Sequence, residues 1–319
     1  MTSPPAAPGA GGRHQRPRPK SGRPEGKTVG RRELSRHARF AEISPEVGVL
    51  DEDAMSRALA TDPAAFELLA VMTTATDENL RAAAIRLSAS IVLERARAGR
   101  ASMRGISRLR PVRGATDGDL DIDASIEGVS AARMQARPVT PEDLTTVQWA
   151  KAHTAFAVVV DRSGSMSGAR LAAAATVAAA CALRAPQEHA VLSFAGSVEV
   201  IRPLVSDVAP AVVAERLLRV RGHGVTRLAA ALKAAGEQLA PARARRRVVI
   251  LLSDCRSTDD DDTLQTARAL TELIILAPAD DHEQAAHLAD LAGARWGAIA
   301  HPLDAAAVLD RLLETRITA

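Results

Sequence analysis

The stretch "AFAVVVDRSGSMSGARLAAAA", residues 155–175, decides how this chain is read. A run of apolar residues that closes on three valines ends in Asp161. Two serines, Ser163 and Ser165, follow at alternate positions, and an alanine-rich helical pattern begins near residue 168. A continuous apolar strand that runs straight into a helix is the pattern of a parallel sheet covered on both faces. In such sheets function gathers at the carboxyl ends of the strands, which is where Asp161 stands. Three chemistries compete for one carboxylate and several small hydroxyls at that place: a nucleophile, a phosphate cradle and a metal site.

The same alternation continues down the chain. Strands are predicted at 154–160, 189–194, 197–201, 246–252, 272–277 and 296–300, and helices at 168–184, 208–219, 226–240, 263–270, 283–293 and 304–315. Residues 145–319 therefore predict an α/β domain with a doubly wound, mostly parallel, Rossmann-like sheet. Upstream, residues 37–100 read as a small helical module, with Asp62 and Pro63 as an N-cap followed by proline at the first helical position. Leu80, Ala84, Leu87 and Ile91 form its apolar repeat. Residues 101–144 read as a connector with an acidic strand, in which Asp119, Asp121 and Asp123 would share one face. Residues 1–36 are rich in Pro, Gly, Arg and Ser with almost no large apolar side chain, and are expected to form a disordered basic tail.

Composition narrows the function. The chain has 319 residues, 47% of them hydrophobic but only 2% aromatic, with no Tyr, so its core is built from Ala, Val, Leu and Ile. Few stacking platforms remain for single-stranded nucleic acid. The net charge of +3 hides an asymmetry, because residues 1–40 hold ten Lys and Arg against Glu25 and Glu33, which leaves the remainder acidic. Nucleic acid is therefore not expected as a partner of the folded body. Two cysteines, Cys181 and Cys255, make no disulfide framework. The chain begins with "MTSPPAAPGAGGRHQ", which lacks an apolar signal region, and its longest uncharged apolar run, residues 171–183, is too short to span a bilayer. A cytoplasmic location with no membrane partner is expected.

The nucleophile fails because Met166 occupies the centre of "GSMSG", where a G-x-S-x-G elbow needs serine. Arg170, not lysine, follows Ser167 at the spacing of a Ser-x-x-Lys pair. Gly164 and Gly168 alone are poor material for a phosphate cradle, and "GRPEGKT" places Gly22 one residue too close to Gly26-Lys27-Thr28. No catalytic and no nucleotide-binding residues are predicted, so the chain is not expected to be an enzyme. The metal reading does better, since Asp161, Ser163 and Ser165 can turn three hard oxygens toward one point, which suits Mg²⁺. One carboxylate leaves such a cation under-neutralised. Thr226, after a Gly-rich turn, and Asp254, at the end of the apolar run "RRRVVILLSD", are the candidate further ligands.

"DRSGSMSGARL", "GVTRL" and "LLSDC", in this order, resemble the three parts of the metal-ion-dependent adhesion site of von Willebrand factor type A (VWA) domains. The pattern D-x-S-G-S-M-x-G-x-x-L is matched throughout; Val225 stands where a second Gly is common, and Cys255 where the third part usually has Gly. The resemblance implies that Asp161, Ser163, Ser165, Thr226 and Asp254 hold Mg²⁺ or Mn²⁺, directly or through water, and that an open position takes a partner's carboxylate. The whole chain is similar to bacterial cytoplasmic VWA proteins that accompany MoxR-type AAA+ ATPases, including chelatase subunits and CoxE-like proteins. That similarity implies a cation-dependent adaptor between such an ATPase and a client protein. Two other classes remain as alternatives. A Mg-dependent hydrolase would lose phosphoester turnover in Asp161→Ala, and a nucleic-acid-associated protein would bind through the basic tail with steep salt dependence.

Overall fold

Strands that are apolar on both faces need cover on both faces, and the arrangement of this chain follows from that demand. The computed structural model describes residues 28–62, 64–102, 108–114, 119–150, 154–163, 168–220, 225–257 and 262–314. In chain order, five helices come first: α1 (Arg31–Leu34), α2 (Phe40–Ile43), α3 (Glu52–Thr61), α4 (Ala64–Met72) and α5 (Glu78–Ser102). A small unit follows, made of β1 (Arg108–Arg113), β2 (Asp119–Asp121), α6 (Ile122–Met134) and β3 (Thr145–Ala150). The α/β part comprises β4 (Thr154–Asp161), α7 (Ala169–Arg184), β5 (His189–Phe194), β6 (Val198–Arg202), α8 (Pro210–Arg219), α9 (Leu228–Leu239), β7 (Arg246–Leu252), α10 (Thr263–Arg268), β8 (Leu273–Pro278), α11 (Glu283–Ala292), β9 (Arg295–Ile299) and α12 (Ala305–Glu314).

The large sheet has the order β6-β5-β4-β7-β8-β9. Every neighbour pair is parallel except β5 with β6. This is the predicted doubly wound α/β fold. Side-chain alternation sorts each strand onto two cores: Phe156, Val158 and Val160 of β4 face the α7 side, while Ala155, Ala157 and Val159 face the α9 side. α7 is buried along its whole circumference, from Leu171 to Ala182. A helix that is apolar all round must be covered all round. One side of α7 lies on the sheet, and α4 and α5 of the N-terminal helices cover the other together with α8 and α12. Leu34, Phe40, Phe66, Leu69, Met72 and Leu80 belong to the same core cluster as Val158, Ala174 and Leu309. The helical module is thus a further layer of the α/β core.

Several boundaries differ from the sequence expectation. Residues 1–27 lie outside the described residues, but residues 28–36 of the expected tail are ordered. Val29 pairs with Ala75, and Leu34 is buried in the helical core, because a single apolar side chain there suffices to dock the short α1. In α5 the buried face runs through Leu80, Ala84, Ile85, Ser88 and Val92, with Leu87 and Ile91 only half covered. The predicted 4-3-4 spacing keeps Leu80 and Ala84 on the buried face, and beyond them that face lies one position further on, at Ser88 and Val92. The connector is not simply extended either. β2 ends at Asp121, whose carboxylate accepts the Ala124 amide at 3.0 Å as an N-cap, so Asp123 lies in the first turn of α6 instead of on the strand face. β3, at the expected start of the α/β domain, instead pairs antiparallel with β1 and β2 in a separate three-stranded sheet.

That small sheet carries a strict packing constraint. A Cβ added at Gly128 on α6 would sit 2.1 Å from the carbonyl oxygen of Asp143. Asp143 cannot give way, because Arg137 donates two hydrogen bonds to its carboxylate at 2.6 and 2.7 Å. At an open helical site, Gly→Ala would stabilise by about 1 kcal/mol. Here Gly128→Ala is expected to destabilise by about 1–3 kcal/mol through overpacking. Faster amide hydrogen exchange in α6 would report it, and unchanged or slower exchange would refute the constraint.

Candidate metal centre

Parallel strands β4 and β7 are neighbours, with Val160 opposite Leu252, so their carboxyl ends emerge side by side. β4 ends at Asp161, and β7 runs on into Ser253 and Asp254. All three are buried, at 0%, 1% and 3% exposure. A buried carboxylate must be hydrogen-bonded, and Asp161 is bonded on both oxygens. Its Oδ1 accepts the Ser163 amide at 2.7 Å, and its Oδ2 accepts the Ser253 hydroxyl at 2.6 Å. The Ser253 oxygen in turn accepts the Cys255 amide at 2.9 Å. Asp254 accepts the Arg256 amide at 3.1 Å.

Thr226 is buried just before α9, and its carbonyl accepts the Ser257 hydroxyl at 3.4 Å, which ties the second loop to the third. The end of β5 joins the first and second loops. The Phe194 carbonyl accepts the Arg162 amide at 2.8 Å, and the Ala195 carbonyl accepts the Arg227 amide at 3.1 Å. Of the five predicted ligands, Asp161, Ser163, Thr226 and Asp254 are therefore buried on loops that hydrogen-bond to one another. Ser165 lies outside the described residues. Ser253 was not singled out from the sequence as a site residue, yet it holds the second oxygen of Asp161. The available signal was its place in "LLSDC", directly before the second carboxylate.

Burial is the main influence that raises the Asp161 carboxyl above the usual carboxylate range. The bonds from Ser253 and Ser163 oppose that shift, and the negative charge of Asp254 adds to it. Two carboxylates whose charges disfavour one another, surrounded by neutral hydroxyls, form a donor set that a hard divalent cation would neutralise. Among the described residues, no group of three or more His, Cys, Asp and Glu comes together, so hydroxyl oxygens would have to complete the shell. Burial, followed by the charges of Asp254 and Asp161, pushes the Cys255 thiol up, so it stays neutral.

The backbone at Cys255 has the conformation of the glycine that the resemblance leads one to expect there. Its φ is +60°, the left-handed conformation that glycine adopts freely. Removing the side chain is expected to relieve strain and lose burial in comparable measure, leaving Cys255→Gly within about 1 kcal/mol of the parent. Cys255→Val, β-branched at positive φ, is expected to destabilise by about 2 kcal/mol or more. Equal melting temperatures for the two variants would refute a strained turn.

The geometry of the three loops agrees with the comparison to known families. Residues 156–256 match the von Willebrand factor type A domain. The matched segment runs from β4 to the turn after β7 and so includes Asp161, Ser163, Thr226 and Asp254. Solved structures resembling the chain include an aerotolerance-related membrane protein from Bacteroides fragilis, 13% identical, covering 51% of this chain and 100% of that one with a TM-score of 0.41. The SpRpn10 VWA domain is 12% identical, covering 53% of this chain and 100% of its own at a TM-score of 0.41. The PilB minor pilin from Streptococcus sanguinis is 10% identical, covering 53% of this chain and 64% of that one at a TM-score of 0.42. The fold assignment rests on strand order and register, not on these likenesses. Comparison with curated proteins finds no match. Among the described residues, no helix is long and apolar enough to cross a membrane.

Proposed function

We propose that this VWA domain binds a partner protein through a divalent cation, Mg²⁺ or Mn²⁺, held by Asp161, Ser163, Ser165, Thr226 and Asp254. The observation that carries this reading is the convergence of two buried carboxylates, Asp161 and Asp254, at neighbouring strand ends, with the Ser253 hydroxyl fixing one of them. When bound, the cation supplies a positive centre that attracts an external carboxylate. The chain's own residues orient the oxygens and exclude water around them. A single charge-assisted contact buried in an interface can act as a hot spot. The role that fits such a module, a helical layer and the order of the three motifs is a non-catalytic cytoplasmic adaptor. It would dock on a MoxR-type AAA+ ATPase, or on its client, through an acidic residue of that partner.

The test is capture from native lysate by the wild type and by Asp161→Ala, each with Mg²⁺ and with chelator, read by mass spectrometry. Capture of an AAA+ ATPase or its client only by the wild type with Mg²⁺ supports the adaptor reading. Capture that is indifferent to metal and to the substitution, with the variant folded, removes the metal face from recognition.

A further inference from the structure

A cavity of about 340 Å³ opens beside the candidate metal centre at the carboxyl ends of β7, β8 and β9. Ala173, Leu252, Leu276 and Ile299 make its wall apolar, and α4 of the helical module closes one side through Glu67. Its volume lies at the low end of the range for ligand pockets, about 300–1,000 Å³. Ser253 lines the cavity and also donates to Asp161, so the cavity wall and the cation oxygens share a residue.

The mouth is polar and carries one ion pair, Arg170 with Asp280. Arg170 Nη2 bonds both oxygens of Asp280 at 3.2 Å. Glu67 lies 3.2 Å from the His301 ring. The other terminal nitrogen of Arg170, Nη1, is buried with no hydrogen-bond partner among the described residues. A buried guanidinium nitrogen without an acceptor is costly, and a small rotation of the Arg170 side chain would bring it to a carbonyl or carboxylate oxygen of a ligand in the cavity.

Resting on the metal reading above, we propose that this cavity is a specificity pocket for the same partner segment. It receives a Leu- or Met-sized side chain within two residues of the carboxylate at the cation, while a backbone carbonyl of that segment accepts from Arg170 Nη1. The shared wall at Ser253 sets that spacing, since neighbouring residues of an extended chain lie only about 3.3–3.8 Å apart. The pocket exists because the helical module and the sheet meet there, so it reads residues that a bare cation site would ignore. The chemistry selected is an acidic residue followed closely by an aliphatic one.

The probes are Gly-rich hexapeptides with one Asp, carrying either Leu or Gly at the first or second position after it. They are titrated into the full chain with Mg²⁺ and read by NMR shift changes. Mn²⁺-induced broadening of resonances near Asp161 and Asp254, without peptide, checks the cation site independently. Burying one Leu side chain corresponds to a ten- to hundredfold gain in affinity over the Gly peptide. Ala300→Trp, an exposed change at the mouth, is expected to erase that gain and leave the Gly peptide's affinity intact. Equal affinities for both peptides, or no binding of either, alongside clear Mn²⁺ broadening would overturn the pocket and spare the metal reading. Absence of Mn²⁺ broadening would overturn both.

Discussion

Removing residues 1–102 is expected to abolish cooperative folding of the remaining chain. The deletion strips the outer layer from α7, whose residues Leu171 to Ala182 are buried on every side. It also uncovers the faces of α7, α8 and α12 against which α4 and α5 pack, with Leu217, Leu218 and Leu309 among the buried side chains of those helices. Each large apolar side chain contributes about 1.5–3 kcal/mol by burial, and a typical domain is stable by only about 5–15 kcal/mol in total. Losing several such contacts at one interface exceeds what a sheet domain of ordinary stability can absorb. The exposed alanine face of α7 and the apolar side of α8 would then form a contiguous sticky patch. Gel filtration and a thermal melt check this: aggregation and no cooperative transition are expected. A monomeric fragment melting within a few degrees of the full chain would show that the helical layer is dispensable to the core.

The second large effect is a reversal of sign at the candidate metal centre. In the absence of a cation, Asp254→Asn removes a negative charge that disfavours the buried Asp161 carboxylate. Asn can still accept the Arg256 amide that Asp254 accepts now. The metal-free variant is therefore expected to be more stable than the wild type, by on the order of 1 kcal/mol. Adding Mg²⁺ is expected to invert the ranking. A ligand at ten times its dissociation constant stabilises the native state by about 1.4 kcal/mol, and the variant, short of one carboxylate, gains little of this. Thermal melts of both proteins in chelator and across a Mg²⁺ series measure the crossing. A wild-type melting temperature that does not move with Mg²⁺ or Mn²⁺ would remove the cation from this site and leave Asp161 as a hydrogen-bonded structural acid.

The two strand-end carboxylates were legible in the sequence because the signals that place them are local. The apolar run 154–160 announced β4, the seventeen-residue helical pattern after it announced α7, and Asp161 fell at the junction. The same reading placed Asp254 at the end of β7. Both alternation and helical period are properties of one segment against its own axis, so a single sequence displays them.

What the sequence by itself determined is thus the set of strands and helices of the α/β part, their parallel layering, and which strand ends carry buried carboxylates. The tertiary structure alone decided which ends meet. Ser253 reaches Asp161 across 92 residues because β7 lies beside β4, and no local period encodes strand adjacency. It also decided that α7 has no solvent face. An alanine-rich helix can lie on a surface or in a core, and only the docking of α5 and its companions settles which. Asp121 likewise ends a strand and caps a helix because the chain turns there to pack Gly128 onto Asp143. These features depend on contacts between segments far apart in the chain, where the free energy belongs to the pair and neither partner reveals it alone.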